Sequence, residues 1–103
     1  MFKLKKDQYR SARGGYSRFL NIYCKKCNGH VLLYQKDGPG PLKRLYVDRI
    51  IAPNKEASLL ICDHCKLLLA TPYIYEKESR SALLLKENAI TKKLTKGIYP
   101  PLS

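Results

Sequence analysis

The sequence predicts a small β-rich or α+β domain, and three observations lead to this prediction. The chain has 103 residues, a length that suits one small domain. All four cysteines lie in two Cys-x-x-Cys turns, which we call knuckle 1 (residues 24–29) and knuckle 2 (residues 62–67). Strand-favouring residues flank both turns. We therefore expect two strand–knuckle–strand units, each about the size of a β-hairpin.

The spacing of the cysteines predicts one metal site. Two residues between a pair of thiols allow a tight turn to direct both sulfur atoms at one point, and two such turns supply four ligands. Four thiolates at about 2.3 Å suit a structural zinc ion. We therefore expect one structural Zn²⁺, which would contribute about 10–16 kcal/mol of apparent binding free energy to so small a fold. The expected ligands are Cys24, Cys27, Cys62 and Cys65.

A site closed by four protein ligands leaves no position for water or substrate, which argues against metal catalysis. Neither His30 nor His64 is needed as a ligand; we expect His30 to begin a strand and His64 to be exposed at the tip of knuckle 2. Two alternatives stay open. The same thiolates accept iron, as in a rubredoxin-like electron carrier, and a secreted protein could pair them as two disulfides.

The expected compartment is the cytoplasm. The first 20 residues are basic and polar, without the apolar run of a secretory signal. The longest apolar stretches, residues 59–62 and 67–70, are too short to span a bilayer. In a reducing compartment, paired cysteines bind metal more often than they form disulfides.

Both knuckles resemble those of the zinc-ribbon class and, more distantly, rubredoxin-like knuckles, in which Cys-x-x-Cys-x-Gly recurs. The resemblance covers residues 19–76 and implies a zinc-ribbon fold; such ribbons occur in ribosomal proteins, transcription factors and RNA-processing subunits. Gly29 takes the position where a positive backbone dihedral angle is expected. Two features depart from the pattern: knuckle 2 has Lys66 and Leu67 after its last cysteine, and knuckle 1 lacks a proline after Cys24.

The chain divides into a basic flexible arm (1–18), one domain with a C-terminal extension (19–96) and a tail (97–103). Strands are expected at 19–23, 30–35, 42–50 and 57–61, with a turn at 37–41. A further strand leaves knuckle 2 at 66–70, and Pro72 should confine residues 73–76 to a sheet edge or loop. Residues 81–96 fit either a helix or, as we favour, two short strands that turn at Glu87 and Asn88.

The charge predicts a polyanionic partner. Lysine and arginine number 20 against 8 acidic residues, a formal charge of +12, which a four-thiolate zinc site would lower to about +10. Nucleic acid is the first expectation and an anionic membrane the second. Arginines interleaved with aromatic residues in the arm favour RNA over DNA, because they offer charge for phosphates and flat faces for unpaired bases. The candidate contacts are Arg10, Arg13, Tyr16, Arg18, Lys43, Arg44, Tyr46, Arg49, Lys92, Lys93 and Lys96.

Other function classes find less support. The sequence has no paired carboxylates, nucleophile–base pattern or phosphate-binding loop, so we expect no enzyme and no small-molecule substrate. The alternative is an interaction adaptor stabilised by zinc that contacts an acidic protein and no nucleic acid. Its anchors would be tyrosines, which are enriched at binding hot spots: Tyr34, Tyr46, Tyr73 and Tyr75.

Overall fold

Two four-stranded antiparallel sheets form the domain, in a computed structural model that describes residues 3–5, 7–9, 16–53 and 58–97. The strands are β1 (Ser17–Cys24), β2 (His30–Asp37), β3 (Arg44–Tyr46), β4 (Ile50–Ala52), β5 (Leu60–Ile61), β6 (Leu68–Tyr75), β7 (Arg80–Leu85) and β8 (Ile90–Thr95). Sheet A has the order β4-β2-β1-β8, and sheet B the order β3-β7-β6-β5. The described chain is strand-rich and nearly free of helix, as the sequence predicts.

Each knuckle joins two neighbouring antiparallel strands. Knuckle 1 connects β1 to β2 in sheet A, and knuckle 2 connects β5 to β6 in sheet B. The expected strand–knuckle–strand units are therefore confirmed, and each sheet contains one of them. The fold is that of a zinc-ribbon-like domain.

One hydrophobic core receives side chains from both sheets. Ile22 and Leu32 of sheet A and Leu69 and Leu83 of sheet B are completely buried in it. Cys24 belongs to the same core, as does Cys62 of knuckle 2. The core therefore extends up to the knuckles, so that sheet packing and the position of the thiols depend on each other.

The expected return strand at residues 42–50 is wrong as a single element. β3 pairs with β7 in sheet B, whereas β4 pairs with β2 in sheet A. A 3₁₀ turn, Val47–Arg49, connects the two. The chain changes sheets at this turn, where Arg49 points inward and its guanidinium group is buried among carboxylates. Within residues 42–50, only Ile50, the first residue of β4, pairs with β2.

Residues 81–96 form strands rather than a helix, as we favoured, and the turn lies at Glu87 and Asn88. The two strands do not pair with each other. β7 lies between β3 and β6 in sheet B, and β8 pairs with β1 in sheet A. This segment is thus a second crossover between the sheets. Leu83 before the turn and Ala89 after it are both buried in the shared core.

Parts of the predicted arm contact the two sheets. Ser17 and Arg18 belong to β1. The backbone N–H of Lys5 donates to Oε1 of Gln35 at 2.6 Å, and Nε2 of Gln35 donates to the carbonyl of Lys5 at 2.9 Å. Asp7 binds Arg49, and the ring of Tyr9 lies over the guanidinium group of Arg80. Residues 3–9 therefore have specific contacts where the structure describes them.

The expectation for Pro72 is consistent with its place in β6. β5 pairs with β6 only at Leu68 and Ala70. Beyond Ala70, the described residues place a strand on one side of β6 only, that of β7. Proline is tolerated there because it has no N–H to donate to a second neighbour.

Candidate metal centre

The two knuckles have the same backbone hydrogen bonds. In knuckle 1, the N–H of Cys24 donates to the carbonyl of Gly29 at 2.9 Å, and the N–H of Asn28 donates to the carbonyl of Cys24 at 2.8 Å. In knuckle 2, the N–H of Cys62 donates to Leu67 and that of Lys66 donates to Cys62, both at 2.9 Å. The two turns are equivalent despite their different sequences.

The positive dihedral angle that we expected at Gly29 lies one residue earlier. Asn28 has φ of 62°, and Lys66 takes φ of 65° at the equivalent position of knuckle 2. Gly29 is required for a different reason: a Cβ atom there would collide with the imidazole ring of His64. In knuckle 2, Leu67 stands at the position equivalent to Gly29.

The four sulfur atoms lie within 4.8 Å of one another. Cys24 Sγ is 3.6 Å from Cys65 Sγ, and Cys27 Sγ is 3.5 Å from Cys62 Sγ. These distances are far longer than the roughly 2.05 Å of a disulfide, and all four cysteines are free. Zinc–sulfur bonds of about 2.3 Å in a tetrahedron would place the sulfurs about 3.8 Å apart. The residues therefore fit a four-thiolate metal site.

Backbone N–H groups of the knuckles lower the pKa values of two thiols. Burial alone would raise the pKa of Cys62, but hydrogen bonds from the backbone N–H groups of Cys65 and His64 lower it to about 6. The N–H of Gly29 donates to Cys27 Sγ at 3.4 Å and lowers its pKa, but burial and hydrogen bonds with the other thiols raise that pKa to about 12. Without a cation the thiols thus share protons; a bound divalent cation would replace them.

Neither histidine belongs to the group of sulfur ligands. His30 begins β2, as expected, and its Nε2 lies 2.9 Å from Oδ1 of Asn21. His64 is exposed in knuckle 2, with its ring against Gly29. The site therefore consists of four cysteines, two from each sheet's knuckle.

Three lysines lie next to the cysteines in the sequence, and the side chain of one of them, Lys66, is hydrogen-bonded within knuckle 2. Lys25 and Lys26 are exposed beside the thiols, and the backbone N–H of Lys25 donates to the carbonyl of Ala89 in the β7–β8 crossover. Lys66 Nζ donates to the carbonyl of Asp63 at 3.1 Å. The crossover is thus hydrogen-bonded to knuckle 1, which links the site to both sheets.

The candidate nucleic-acid contacts fall into four groups. Tyr16, Lys43, Lys92, Lys93 and Lys96 are exposed. Arg18 and Arg44 are half-buried. Arg10 and Arg13 lie outside the described residues. Tyr46 and Arg49 are buried, with 8% and 1% of their surfaces exposed.

Burial removes Tyr46 and Arg49 from the contact surface. Arg49 Nε donates to Asp37 at 2.8 Å and Nη1 to Asp7 at 2.8 Å, so its charge is already neutralised. The Tyr46 ring is covered by the guanidinium group of Arg80, 3.7 Å from its centroid. Neither side chain is exposed on the outer surface of the domain, although both residues line a cavity between the end of β2 and β3.

Arg80 is a structural residue that the sequence analysis missed. It lies between the rings of Tyr9 and Tyr46, with its carbon Cζ 3.9 and 3.7 Å from their centroids, and Nη2 donates to Asp48 at 2.7 Å. Its ion-pair partner Glu78 is only two positions away, but Tyr9, Tyr46 and Asp48 lie 32 or more positions away in the sequence, so no local pattern indicates the stacked arrangement.

Two cavities were also not predicted. The first has a volume of about 410 Å³ and lies between the end of β2 and β3. The second, of about 450 Å³, lies under the β7–β8 crossover and is lined in part by Lys86 and Lys92. Leu42 and Lys43 line both cavities, so the two are neighbours.

The described part of the chain contains no helix able to traverse a lipid bilayer. Comparisons of the chain with models of known protein families, with curated proteins and with solved structures gave no match.

Proposed function

We propose that this protein is a zinc-stabilised domain that binds nucleic acid, RNA rather than DNA, on its own or within a ribonucleoprotein such as the ribosome. The four thiolates hold one structural zinc ion, and the zinc closes the fold without taking part in catalysis. The observation that carries the proposal is the distribution of charge: two buried arginines pair with half of the acidic residues, while most of the described lysines are exposed.

The buried arginines account for this distribution. Arg49 and Arg80 together bind four of the eight acidic residues of the chain: Asp7, Asp37, Asp48 and Glu78. In contrast, Lys43, Lys92 and Lys96 form no ion pair with any residue that the structure describes. A surplus of uncompensated lysines raises the local concentration of polyanions and favours phosphate contacts.

These lysines are near the cavities. Lys43 lines both of them, and Lys92 lines the second. Lys93 is the neighbour of Lys92 on β8, and its Nζ lies 5.5 Å from the centroid of the Tyr23 ring. A path for a nucleic-acid backbone would thus run from the first cavity past Lys43 to β8.

Salt-dependent binding to a single-stranded RNA tests the proposal. Affinity should fall linearly with the logarithm of salt concentration, with a slope of about −0.7 per neutralised phosphate. The triple variant Lys92→Gln, Lys93→Gln, Lys96→Gln should bind more weakly and with a smaller slope. The matched control Lys25→Gln, Lys26→Gln, Lys77→Gln removes the same charge from exposed positions outside both cavities. Equal losses in the two variants, or affinity independent of salt, would contradict specific contact by β8.

The adaptor remains the second candidate, favoured by exposed apolar side chains on sheet B. Ile74 and Leu84 are 57% and 47% exposed, and Leu59 is 55% exposed. Two of its expected anchors, Tyr34 and Tyr46, are buried and cannot contact a partner. Partners that remain bound after nuclease treatment would favour the adaptor over nucleic-acid binding.

A further inference from the structure

The first cavity has the composition of an anion site. Its walls include Lys36 at the end of β2, Lys43 in the following loop and Arg44 at the start of β3. Asp37 is the one acidic residue in the lining. Its Oδ1 accepts hydrogen bonds from Ser17 at 2.6 Å and Gln35 at 3.0 Å, and its Oδ2 binds Arg49 Nε. The carboxylate is therefore hydrogen-bonded within the fold, and its single negative charge is smaller than the summed positive charge of Lys36, Lys43 and Arg44.

The cavity also contains hydrogen-bond donors that the fold leaves unused. Tyr34 is 2% exposed, and its hydroxyl oxygen accepts the N–H of Tyr46 at 2.8 Å. No group among the described residues accepts the hydrogen of this hydroxyl. Arg44 Nε is likewise buried without a hydrogen-bond partner in the described part of the chain. A buried donor without an acceptor destabilises the fold, and an acceptor bound at the Tyr34 hydroxyl would remove this cost there.

Two cations converge at the rim of the cavity. Lys36 Nζ and Arg18 Nη1 both donate to the carbonyl of Gly38, at 2.9 and 3.0 Å. Lys36 is only 7% exposed, so its charge is screened little by solvent. A single carbonyl thus holds two positive charges beside a cavity that Gly38 itself lines. The local field favours a negatively charged ligand.

We propose that this cavity binds a nucleotide through its phosphate group. Lys43 and Arg44 would pair with the phosphate oxygens, and Tyr34 would donate its hydroxyl hydrogen. A volume of about 410 Å³ lies in the range of small-molecule sites and exceeds what a bare phosphate needs, so that the attached sugar also enters. The inference rests on the proposed function, in which the nucleotide is one unit of the bound RNA. Recognition by phosphate predicts little preference among bases.

The nucleotide site and the metal site are separate. β2 runs from His30, beside knuckle 1, to Asp37, beside the cavity. Seven steps of about 3.3 Å along a strand give a separation on the order of 20 Å. The zinc would therefore not contact the phosphate, and loss of nucleotide binding can be measured in variants that keep their metal.

The test is calorimetric titration of the zinc-loaded full chain with the four nucleoside monophosphates, adenosine and inorganic phosphate at low salt. All four monophosphates should bind with similar affinity, inorganic phosphate more weakly, and adenosine not measurably. Lys43→Gln and Arg44→Gln should each weaken binding about tenfold, and Tyr34→Phe a few-fold. Lys77→Gln, exposed and outside the cavity, should bind like the wild type. Amide chemical shifts should change around Gly38 and Leu42.

The outcomes separate this inference from the proposed function. RNA binding without monophosphate binding would overturn the nucleotide site and leave the proposed function intact. Monophosphate binding without RNA binding would support the site and overturn the proposed function. Adenosine binding as tightly as the monophosphates, or shift changes confined to residues outside the cavity, would overturn phosphate recognition here. Tyr34→Phe, which removes only the hydroxyl, keeps the test decisive if Arg44→Gln does not fold.

Discussion

Arg49 binds the carboxylate of Asp7 with both of its terminal nitrogens, although the two residues lie 42 positions apart in the sequence. Its third nitrogen, Nε, binds Asp37. Burial alone would lower the pKa of Arg49, but the hydrogen bonds and charges of Asp7 and Asp37 raise it. One guanidinium group thereby joins the N-terminal segment, the end of β2 and the 3₁₀ turn.

Replacing Arg49 should therefore be severely destabilising. In Arg49→Met, the carboxylate of Asp37, 4% exposed, loses its cation inside the protein. Breaking a buried ion pair in this way costs about 3–5 kcal/mol. Urea unfolding of the zinc-loaded protein measures the free energy of unfolding. Arg49→Lys, which keeps the charge but loses the bidentate geometry, should be intermediate.

Asp7→Asn provides the contrast to Arg49→Met. The side chain of Asp7 is 38% exposed, so solvent can replace its bond to Arg49, which still retains Asp37. We expect a loss of at most about 1 kcal/mol. An Asp7→Asn variant as unstable as Arg49→Met would contradict the view that Asp37 is the essential partner.

Removal of the metal should unfold the domain. The zinc ion would contribute about 10–16 kcal/mol of apparent free energy, more than the net stability of a small domain. Native mass spectrometry should find one zinc ion per chain, and a strong chelator should abolish the circular-dichroism signal of the folded sheets. Cys62→Ser should lose the metal, because a buried thiolate ligand is missing.

His64→Ala is the matched control for the metal site. It changes a residue within knuckle 2 that is not among the sulfur ligands, so the variant should keep one zinc ion and remain folded. A red protein with a visible iron–thiolate band would instead identify iron in the four-cysteine site. A chain that stays folded without any metal would contradict the structural role.

The contact between Gly29 and His64 predicts that substitutions at these two positions have coupled effects on the free energy of unfolding. Gly29→Ala places a methyl group into the imidazole ring of His64, and such overpacking costs about 1–3 kcal/mol. In the double variant Gly29→Ala, His64→Ala, the ring is absent and most of this cost should disappear. A double-mutant cycle measures the coupling. An undiminished penalty in the double variant would mean that the Gly29 backbone, not the ring, sets the requirement.

His30 should make the stability depend on pH. Burial lowers the pKa of His30, so the unfolded chain takes up a proton at this ring more readily than the folded protein. Its contribution is therefore fully present above the unfolded pKa of about 6.5 and is lost as the pH falls through the lowered folded value. The stability difference between the wild type and His30→Gln should shrink between pH 7.5 and pH 5, measured at constant zinc content. A difference independent of pH would contradict this.

The part of the candidate site that is local in sequence could be predicted. Two residues between thiols restrict each pair to one tight turn, so the pairing of Cys24 with Cys27 and of Cys62 with Cys65 in one cluster could be predicted without a structure. The position of the positive φ was missed by one residue, because asparagine at position 28 satisfies it where glycine at 29 was expected. The requirement for Gly29 depends on His64, which is 35 positions away.

Most of the strands, the two knuckles, the grouping of the four cysteines and the excess of positive charge could be predicted, because spacing, propensity and composition are local properties. The fold was needed to show which strands share a sheet, that Arg49 and Tyr46 are interior residues, and that Tyr34, Lys36 and Arg44 line one cavity. The physical reason is that burial and ion pairing depend on partners distant along the chain. In the sequence, an arginine that contacts phosphate cannot be distinguished from one that pairs with a buried carboxylate, because the carboxylate approaches the arginine only in the folded protein.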